Sequence, residues 1–318
     1  MTQKIALVCG VSGQDGSYLA RFLLGKGYEV WGTSRDDQGS GFENLGKLHI
    51  KDQVKTLSMM PEDFRSVLVS LRKSMPDEVY YLAGQSSVGL SFEQPAETIQ
   101  SIAIGMLNIL EACRMLESPV KIYHAGSSEC FGDTNGLPAN EFTPFKPRSP
   151  YAVAKASSFW LVDNYREAYS LYACTGILFN HESPLRPSRF VTQKIISTAK
   201  RIAQGSREKL VLGRLDISRD WGWAPEYVEA MWAMLQQNSP EDFVIATGES
   251  NTLQSFVAAV FSRLDLDWKE FVEHDKAFMR PTDLLVSLGD ASKARQKLHW
   301  EAKYKMVDVV RLMLESGE

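Results

Sequence analysis

The sequence predicts an α/β protein: a doubly wound, Rossmann-like parallel sheet with a smaller C-terminal substrate-binding lobe. Three observations lead there. A short apolar run near the N-terminus feeds directly into a glycine-rich turn and a helical stretch. Strand-like and helix-like segments then alternate as far as Phe179, and the alternation loosens beyond it. Regular alternation of this kind means a parallel sheet with helices on both faces.

The first strand, Lys4-Ile-Ala-Leu-Val-Cys9, is continuously apolar, as a buried strand should be. Gly10-Val-Ser12-Gly13-Gln14-Asp15-Gly16 follows at once, and Ser17 to Leu24 reads as helix. Strand, glycine turn and helix in this order are the context of a dinucleotide fingerprint, here spaced G-x-x-G-x-x-G. Gly10 permits the tight turn, Gly13 lets a pyrophosphate approach the backbone, and Gly16 lets helix and strand pack closely. Amides at the helix start then face the phosphates.

The second strand, Tyr28 to Thr33, ends in Ser34-Arg35-Asp36-Asp37. An acid at this strand end would bind the ribose hydroxyls of NAD, whereas an arginine accommodates the extra phosphate of NADP. Ser34 stands where the acid would be and Arg35 follows, so NADP is expected. The alternative is an Arg35 paired with Asp36 or Asp37. Asp36 to Met60, rich in glycine and polar residues, reads as loop. Glu78 to Leu82 is a strand running into Ala83-Gly-Gln85-Ser86-Ser87. Thr98 to Leu116 is a long helix, Val120 to Ala125 a strand, Tyr151 to Tyr169 a helix started by Pro150, and Thr175 to Phe179 a strand. Asn180 to Arg186 reads as polar loop and Phe190 to Gln204 as a basic helix. Residues 1–179, rejoined by about 222–248, form the expected dinucleotide-binding domain; 180–221 and 249–318 form the lobe. Arg214, Arg219 and Arg280, scattered through the lobe, suit a phosphate-bearing substrate, although an exposed salt-bridging role fits Arg214 better than it fits Arg219.

The chemistry concentrates in Ser127-Ser-Glu129 and Tyr151-Ala-Val-Ala-Lys155. Tyr151 and Lys155 lie one helical turn apart on the same face. An ammonium beside a phenol favours the phenolate, which gives an acid/base near neutral pH. Ser127, at the carboxyl end of a strand, can hydrogen-bond the same oxygen, and Glu129 adds a second acid/base. The set suits hydride chemistry at a carbinol carbon with one further proton transfer. Tyr-x-x-x-Lys alone also occurs by chance in helices; the dinucleotide turn is what gives it weight here.

The composition fits. The 318 residues are 44% hydrophobic and 23% charged, with net charge −4, which gives no indication of a nucleic-acid or membrane surface. No apolar run is long enough to span a bilayer. The first strand begins so early that no room remains for a signal peptide. The four cysteines, Cys9, Cys113, Cys130 and Cys174, lie far apart without metal-ligand spacing. They read as packing residues, Cys130 included, and the reducing cytoplasm is the expected compartment.

Longer segments carry a resemblance. Gly13-Gln-Asp-Gly-Ser-Tyr-Leu19, Pro147-Arg-Ser-Pro-Tyr151, Gly176-Ile-Leu-Phe-Asn-His-Glu-Ser-Pro184, Arg219-Asp-Trp-Gly222, Tyr227-Val-Glu-Ala-Met-Trp232 and Asp242-Phe-Val-Ile-Ala-Thr-Gly248 resemble the extended short-chain dehydrogenase/reductases. Among these, they are closest to the GDP-mannose 4,6-dehydratase family. The resemblance implies a dehydration of a GDP-hexose on one bound NADP, with Tyr151, Lys155, Ser127 and Glu129 catalytic. It implies cofactor contacts at Gly10, Ser12, Gly13, Gln14, Asp15, Gly16, Arg35, Leu82, Ala83, Gln85, Ser86, His181 and Arg186, besides Tyr151 and Lys155. Substrate contacts are implied at Ser87, Glu129, Asn180, Lys194, Arg219 and Arg280. A homo-oligomer, a dimer rather than a tetramer, is expected.

The chain also departs from that pattern. Ser127 replaces the family's threonine. The loop after Arg35, which in the family reaches a neighbouring subunit, is short and lacks a second arginine. Ser58-Met59 replaces an aspartate-containing pair near the adenine. Gly32 to Arg35, Gly126 to Glu129 and Phe190 to Gln193 look more like the related reductase of the 4-keto product. An NADPH-dependent reductase or epimerase therefore stands as the second reading. A non-catalytic nucleotide-binding protein is the third, and the intact Ser127, Glu129, Tyr151 and Lys155 set argues against it.

Overall fold

The computed structural model describes residues 3–116, 118–275 and 282–316. Its apolar runs become the strands of one parallel sheet. In chain order the first part contains β1 (Ile5–Cys9), α1 (Gln14–Gly25), β2 (Glu29–Ser34), α2 (Glu43–Lys47), β3 (Lys55–Ser58), α3 (Phe64–Ser74), β4 (Glu78–Tyr81), α4 (Val88–Glu93), α5 (Pro95–Ile99), α6 (Gly105–Arg114), β5 (Lys121–Ala125), α7 (Pro150–Tyr169) and β6 (Ala173–Leu178). The second part contains β7 (Asn180–Glu182), α8 (Val191–Ala203), β8 (Leu210–Leu212), β9 (Ser218–Trp223), α9 (Ala224–Leu235), β10 (Phe243–Ile245), β11 (Ser250–Thr252), α10 (Leu253–Ser262), α11 (Trp268–Phe271), β12 (Val272–His274), α12 (Ser292–Leu298) and α13 (Met306–Glu315).

Seven strands lie in the order β10-β6-β5-β4-β1-β2-β3, and every pair is parallel. Both faces are covered, which is why β1 is apolar without alternation and every residue of β4 is buried. On one face α1, α9 and α12 bury Leu19, Leu23, Met231, Leu235 and Leu298. On the other α3, α6 and α7 bury Val67, Leu71, Ile109, Leu110 and Val162. Fully burying one such side chain contributes about 1.5–3 kcal/mol. The strand order reverses between β1 and β4, and ligands of open α/β sheets bind beyond the strand ends at such a reversal. Cys9 pairs with both Thr33 and Tyr81, and Tyr81 with His124, so the carboxyl ends of these strands line up.

The lobe has its own core, in which Ile195 and Ala199 of α8, Phe256 and Val260 of α10, and Val309 and Val310 of α13 are buried. A small sheet, β11-β9-β7, connects it to the large one. Among the described residues no helix is long and apolar enough to cross a membrane.

Four segments differ from the sequence reading. Residues 36–60 are not all loop: they hold α2 and β3. β3 is a short strand at the sheet edge with one buried residue, so it carries little apolar signal. The expected helix from Thr98 begins at Pro95 and passes through a π-helical turn at Gln100–Ile104. Asn180–Glu182 is a strand rather than loop, paired with Asn180 opposite Trp221 and Glu182 opposite Trp223. Its polar side chains hide it from a hydrophobic pattern. Lastly, α12 packs on the large sheet's α9 side rather than in the lobe, and the Trp300 indole beyond it donates to the Glu226 carbonyl at 3.0 Å.

Candidate active site

β5 ends at Ala125, and the chain leaves it through Gly126, whose amide donates to the Gly176 carbonyl at 2.8 Å. Ser127 is extended and opens a short 3-10 turn, Ser128–Phe131. The Ser127 hydroxyl oxygen accepts from the Glu129 amide at 3.3 Å, and the hydroxyl lies near enough to the Tyr151 phenol to favour its ionised form. Tyr151 stands in the first turn of α7, where Pro150 fixes the helical φ and Ser149 caps by accepting from the Ala152 amide at 3.1 Å. Lys155, one turn on, is buried. Its ammonium donates to the Ala125 carbonyl at 2.7 Å and lies 5.9 Å from the centre of the Tyr151 ring. One lysine thus fastens α7 to the end of β5.

The electrostatics correct one expectation. Burial pushes the Tyr151 phenol well above its ordinary range, and the Ser127 hydrogen bond only partly opposes this. The Lys155 ammonium is bound to Ala125 and is itself disfavoured, so its charge does not outweigh the burial of Tyr151. Burial brings Lys155 down to about 8. Glu129 is half-buried and its charge acts against Tyr151 ionising. Cys130 is a packing residue: its thiol is buried, pushed up to about 12, and 3.7 Å from the Ala152 carbonyl.

The glycine turn lies at the end of β1, beside the strand reversal. Gly10 has φ +86°, and a Cβ there would sit 3.1 Å from Ala83; a Cβ on Gly16 would sit 2.3 Å from the Gly10 carbonyl oxygen. No side chain caps the first turn of α1, so its start suits an external anion. The turn, the reversal and the glycine contacts together fit a dinucleotide. Ser12 is exposed, and its carbonyl accepts from Asn44 at 2.9 Å. Gln14 is buried: its amide donates to the His181 carbonyl at 3.2 Å and accepts from the Ser183 hydroxyl at 2.8 Å, so it also ties α1 to the strand after β6. Asp15 meets His181 at 2.9 Å. Arg35 pairs with Glu97 of α5 at 3.4 Å, and neither Asp36 nor Asp37 is its partner in that ion pair.

A cleft of about 390 Å³ joins these groups to the lobe. Asp15, Leu82, Ala83, Gln85, Ser86, Ser87, Ser127, Glu129, Tyr151, Lys155, Asn180, His181, Arg186, Lys194 and Arg219 all line it; Gly10, Ser12, Gly13, Gln14, Gly16 and Arg35 do not. Ser87 is also the N-cap of α4, accepting from the Leu90 amide at 3.3 Å. Lys194 donates to the Val211 carbonyl at 2.7 Å. Arg219 is buried, donating to the Ser218 and Leu284 carbonyls at 2.9 and 2.8 Å and to Asp283 at 2.9 Å. Arg280 lies outside the described residues.

Among the cleft residues not singled out by their sequence pattern are Glu182, Phe190 and Asp283. Glu182 is buried, accepting from Thr192 at 2.6 Å and pairing with Arg186 at 3.3 Å. The Arg186 guanidinium lies 3.9 Å from the centre of the Phe190 ring. Arg214 both pairs with Asp216 and faces the cleft. Glu182 and Phe190 each lie four residues from Arg186, while Asp283 meets Arg219 only through the fold.

Known proteins give the same frame. A family model described as GDP-mannose 4,6 dehydratase matches residues 7–313. GDP-mannose 4,6 dehydratase 1 of Arabidopsis thaliana is 47% identical over 98% of this chain and 89% of its own length. The UDP-glucose 4-epimerase of Thermus thermophilus, solved with NAD, is 26% identical with a TM-score of 0.85, covering 98% of each chain. The dTDP-glucose 4,6-dehydratase of Bacillus anthracis, also solved with NAD, has a TM-score of 0.85 at 18% identity, over 98% of this chain and 96% of its own. At that identity it speaks for the fold alone.

Proposed function

The chain belongs to the GDP-mannose 4,6-dehydratase family, and on that premise we propose that it converts GDP-mannose to the 4-keto-6-deoxy sugar nucleotide, using a nicotinamide cofactor, NADP, that stays bound through the cycle. The observation that carries this reading is the convergence of Ser127, Tyr151, Lys155 and Glu129 in one cleft beside the glycine turn. A simple alcohol oxidation needs only the first three. Glu129 supplies the second acid/base that elimination of water requires.

NADP, when bound, supplies the acceptor for the carbon-4 hydride and the hydride that returns at carbon 6. Tyr151 takes the proton of the 4-hydroxyl while Ser127 holds the phenol oxygen. Lys155 holds the nicotinamide-side ribose and adds positive charge behind the phenol. Once carbon 4 is a ketone, the hydrogen on carbon 5 is acidic. Glu129 removes it and delivers a proton to the hydroxyl leaving carbon 6, so water departs; when carbon 6 is reduced, the proton that Tyr151 took from the 4-hydroxyl goes to carbon 5, which restores Tyr151 for the next cycle. Asn180, Lys194, Arg219 and Arg280 would hold the nucleotide sugar, since a guanidinium fork suits phosphate oxygens. Arg186 and His181, with Leu82 to Ser86 and the Gly10 to Gly16 turn, hold the cofactor.

Arg35 selects NADP through its extra phosphate. Its ion pair with Glu97 is exposed, and such pairs contribute about 0–1 kcal/mol, so a phosphate can displace the carboxylate. Arg35→Ala should weaken NADP far more than NAD in a binding titration; equal affinity of the parent protein for both would remove this assignment. A homodimer is supported by Val153 and Trp160, exposed two turns apart on α7, with exposed Ile99 and Ile104 on the neighbouring helices.

The deciding experiment is mass spectrometry of GDP-mannose incubated with the purified protein. Loss of one water without added NADPH is expected. An unchanged mass, together with consumption of NADPH on a 4-keto sugar nucleotide, would point to the reductase instead.

A further inference from the structure

Asp15 is an anion placed where another anion is expected. It lies in the first turn of α1 and lines the cleft. A helix start favours one negative charge, but a phosphate brought beside a bare carboxylate meets repulsion. The structure answers this through His181. That ring is buried, stacks on Tyr227 with centres 4.5 Å apart, and has an acceptor at each nitrogen: the Phe179 carbonyl 2.7 Å from Nδ1 and an Asp15 oxygen 2.9 Å from Nε2. Only the imidazolium can donate to both.

We propose that His181 is a positioning residue which, held as an imidazolium between Phe179 and Asp15, cancels the Asp15 charge so that the dinucleotide's pyrophosphate can share the start of α1. This rests on the dinucleotide reading above but not on the choice of NADP over NAD, since both carry the pyrophosphate. The ionisation balance agrees. Burial works against the His181 charge, yet Asp15 outweighs it and raises the group above its ordinary 6.5; Asp15 is brought down to about 2, burial again being outweighed, chiefly by His181. The other charged or titratable groups facing the pair are few. Arg186, on the turn after β7, acts on both. The Lys155 ammonium is acted on by the Asp15 charge. Glu182 on the same strand is engaged by Arg186 and Thr192, and Asp220 on β9 by the amides of Thr247 and Gly248. Tyr18 on α1 and Tyr123 on β5 feel the Asp15 charge, and these two and Tyr227 stay phenols.

The sign follows. As pH rises through the raised range in which His181 loses its proton, the Asp15 charge is uncovered and dinucleotide affinity falls. Calorimetric titration of the purified protein with NADP, and separately with NAD, from about pH 6 to about pH 9 reads this directly. His181→Gln should bind both about tenfold more weakly at neutral pH, as expected of one uncompensated charge near an anion. Asp15→Asn should bind at least as well as the parent, with a flatter pH profile; what remains belongs to Lys155. The double variant should recover the parent's affinity. A purely structural role predicts the opposite, with Asp15→Asn as damaging as His181→Gln and no recovery in the double variant; that result overturns the proposal. Nitrogen NMR of the unsubstituted protein, labelled at its five histidines, gives a check that needs no variant: a neutral His181 ring at pH 7 also overturns it. Equal binding of NADP and NAD, each with this pH profile, would remove the Arg35 assignment and leave this one standing.

Discussion

Lys155 serves two ends that oppose each other. It must be buried to join β5 to α7, and it must be charged to help Tyr151. Burial brings it down to about 8 from an ordinary 10.5. The ammonium therefore discharges as pH rises through about 8, and kcat should fall over the same range. Lys155→Arg, which does not discharge, should be slower but should lose that falling limb; a limb left in place would belong to another group. The stability effect has the opposite sense. Between about 8 and 10.5 the unfolded chain holds this proton more tightly than the folded one, so folding gains stability there. Tyr151→Phe should keep the fold and lower kcat by about 100- to 10,000-fold, the usual contribution of a positioned acid/base. Glu129→Gln separates the two halves of the chemistry. Oxidation at carbon 4 should continue, seen as reduced-nicotinamide absorbance on the enzyme, while the deoxy product is no longer released. Full dehydration by this variant would take Glu129 out of the mechanism.

At the scale of elements, the clearest constraint is the close contact of α1 with the glycine turn. A methyl on Gly16 would sit 2.3 Å from the Gly10 carbonyl oxygen, a backbone atom with no room to yield. Gly16→Ala should cost about 1–3 kcal/mol in denaturant unfolding and also weaken dinucleotide binding by moving the helix start. This part of the fold was legible from residues 4–24, because buried parallel strands are continuously apolar and the turn demands glycine. Tyr151 and Lys155 were legible for a similar reason: helical spacing alone puts them together. β3 and β7 were not. One is a nearly exposed edge, and the other spends its side chains on the site, so neither shows apolar patterning. Glu182 and Asp283 were hidden more deeply, since Thr192 and Arg219 meet them only once the lobe is folded.

At the scale of the molecule, an apolar stripe outside the cleft predicts assembly. Trp160 is 58% exposed on α7, and Val153, a stripe-mate two turns earlier, is 43% exposed. Trp160→Glu should convert a dimer to a monomer in sedimentation analysis, with little change in the melting temperature of the protomer. A parent protein already monomeric at micromolar concentration would remove the stripe's proposed role. The order of the large sheet has a different consequence, one for the birth of the chain. The strand beside β6 is β10, and the helix covering it is α12, so a domain that begins at residue 5 is completed only by residues 243–245 and 292–298. Until that late segment emerges from the ribosome, β6 presents an unpaired parallel edge, the kind that pairs with other chains. High contact order makes such closure slow. A polypeptide cut at residue 179 therefore carries the whole glycine turn and the Tyr151–Lys155 helix yet lacks the strand that seals them, and its natural fate is aggregation rather than a small working dinucleotide-binding module.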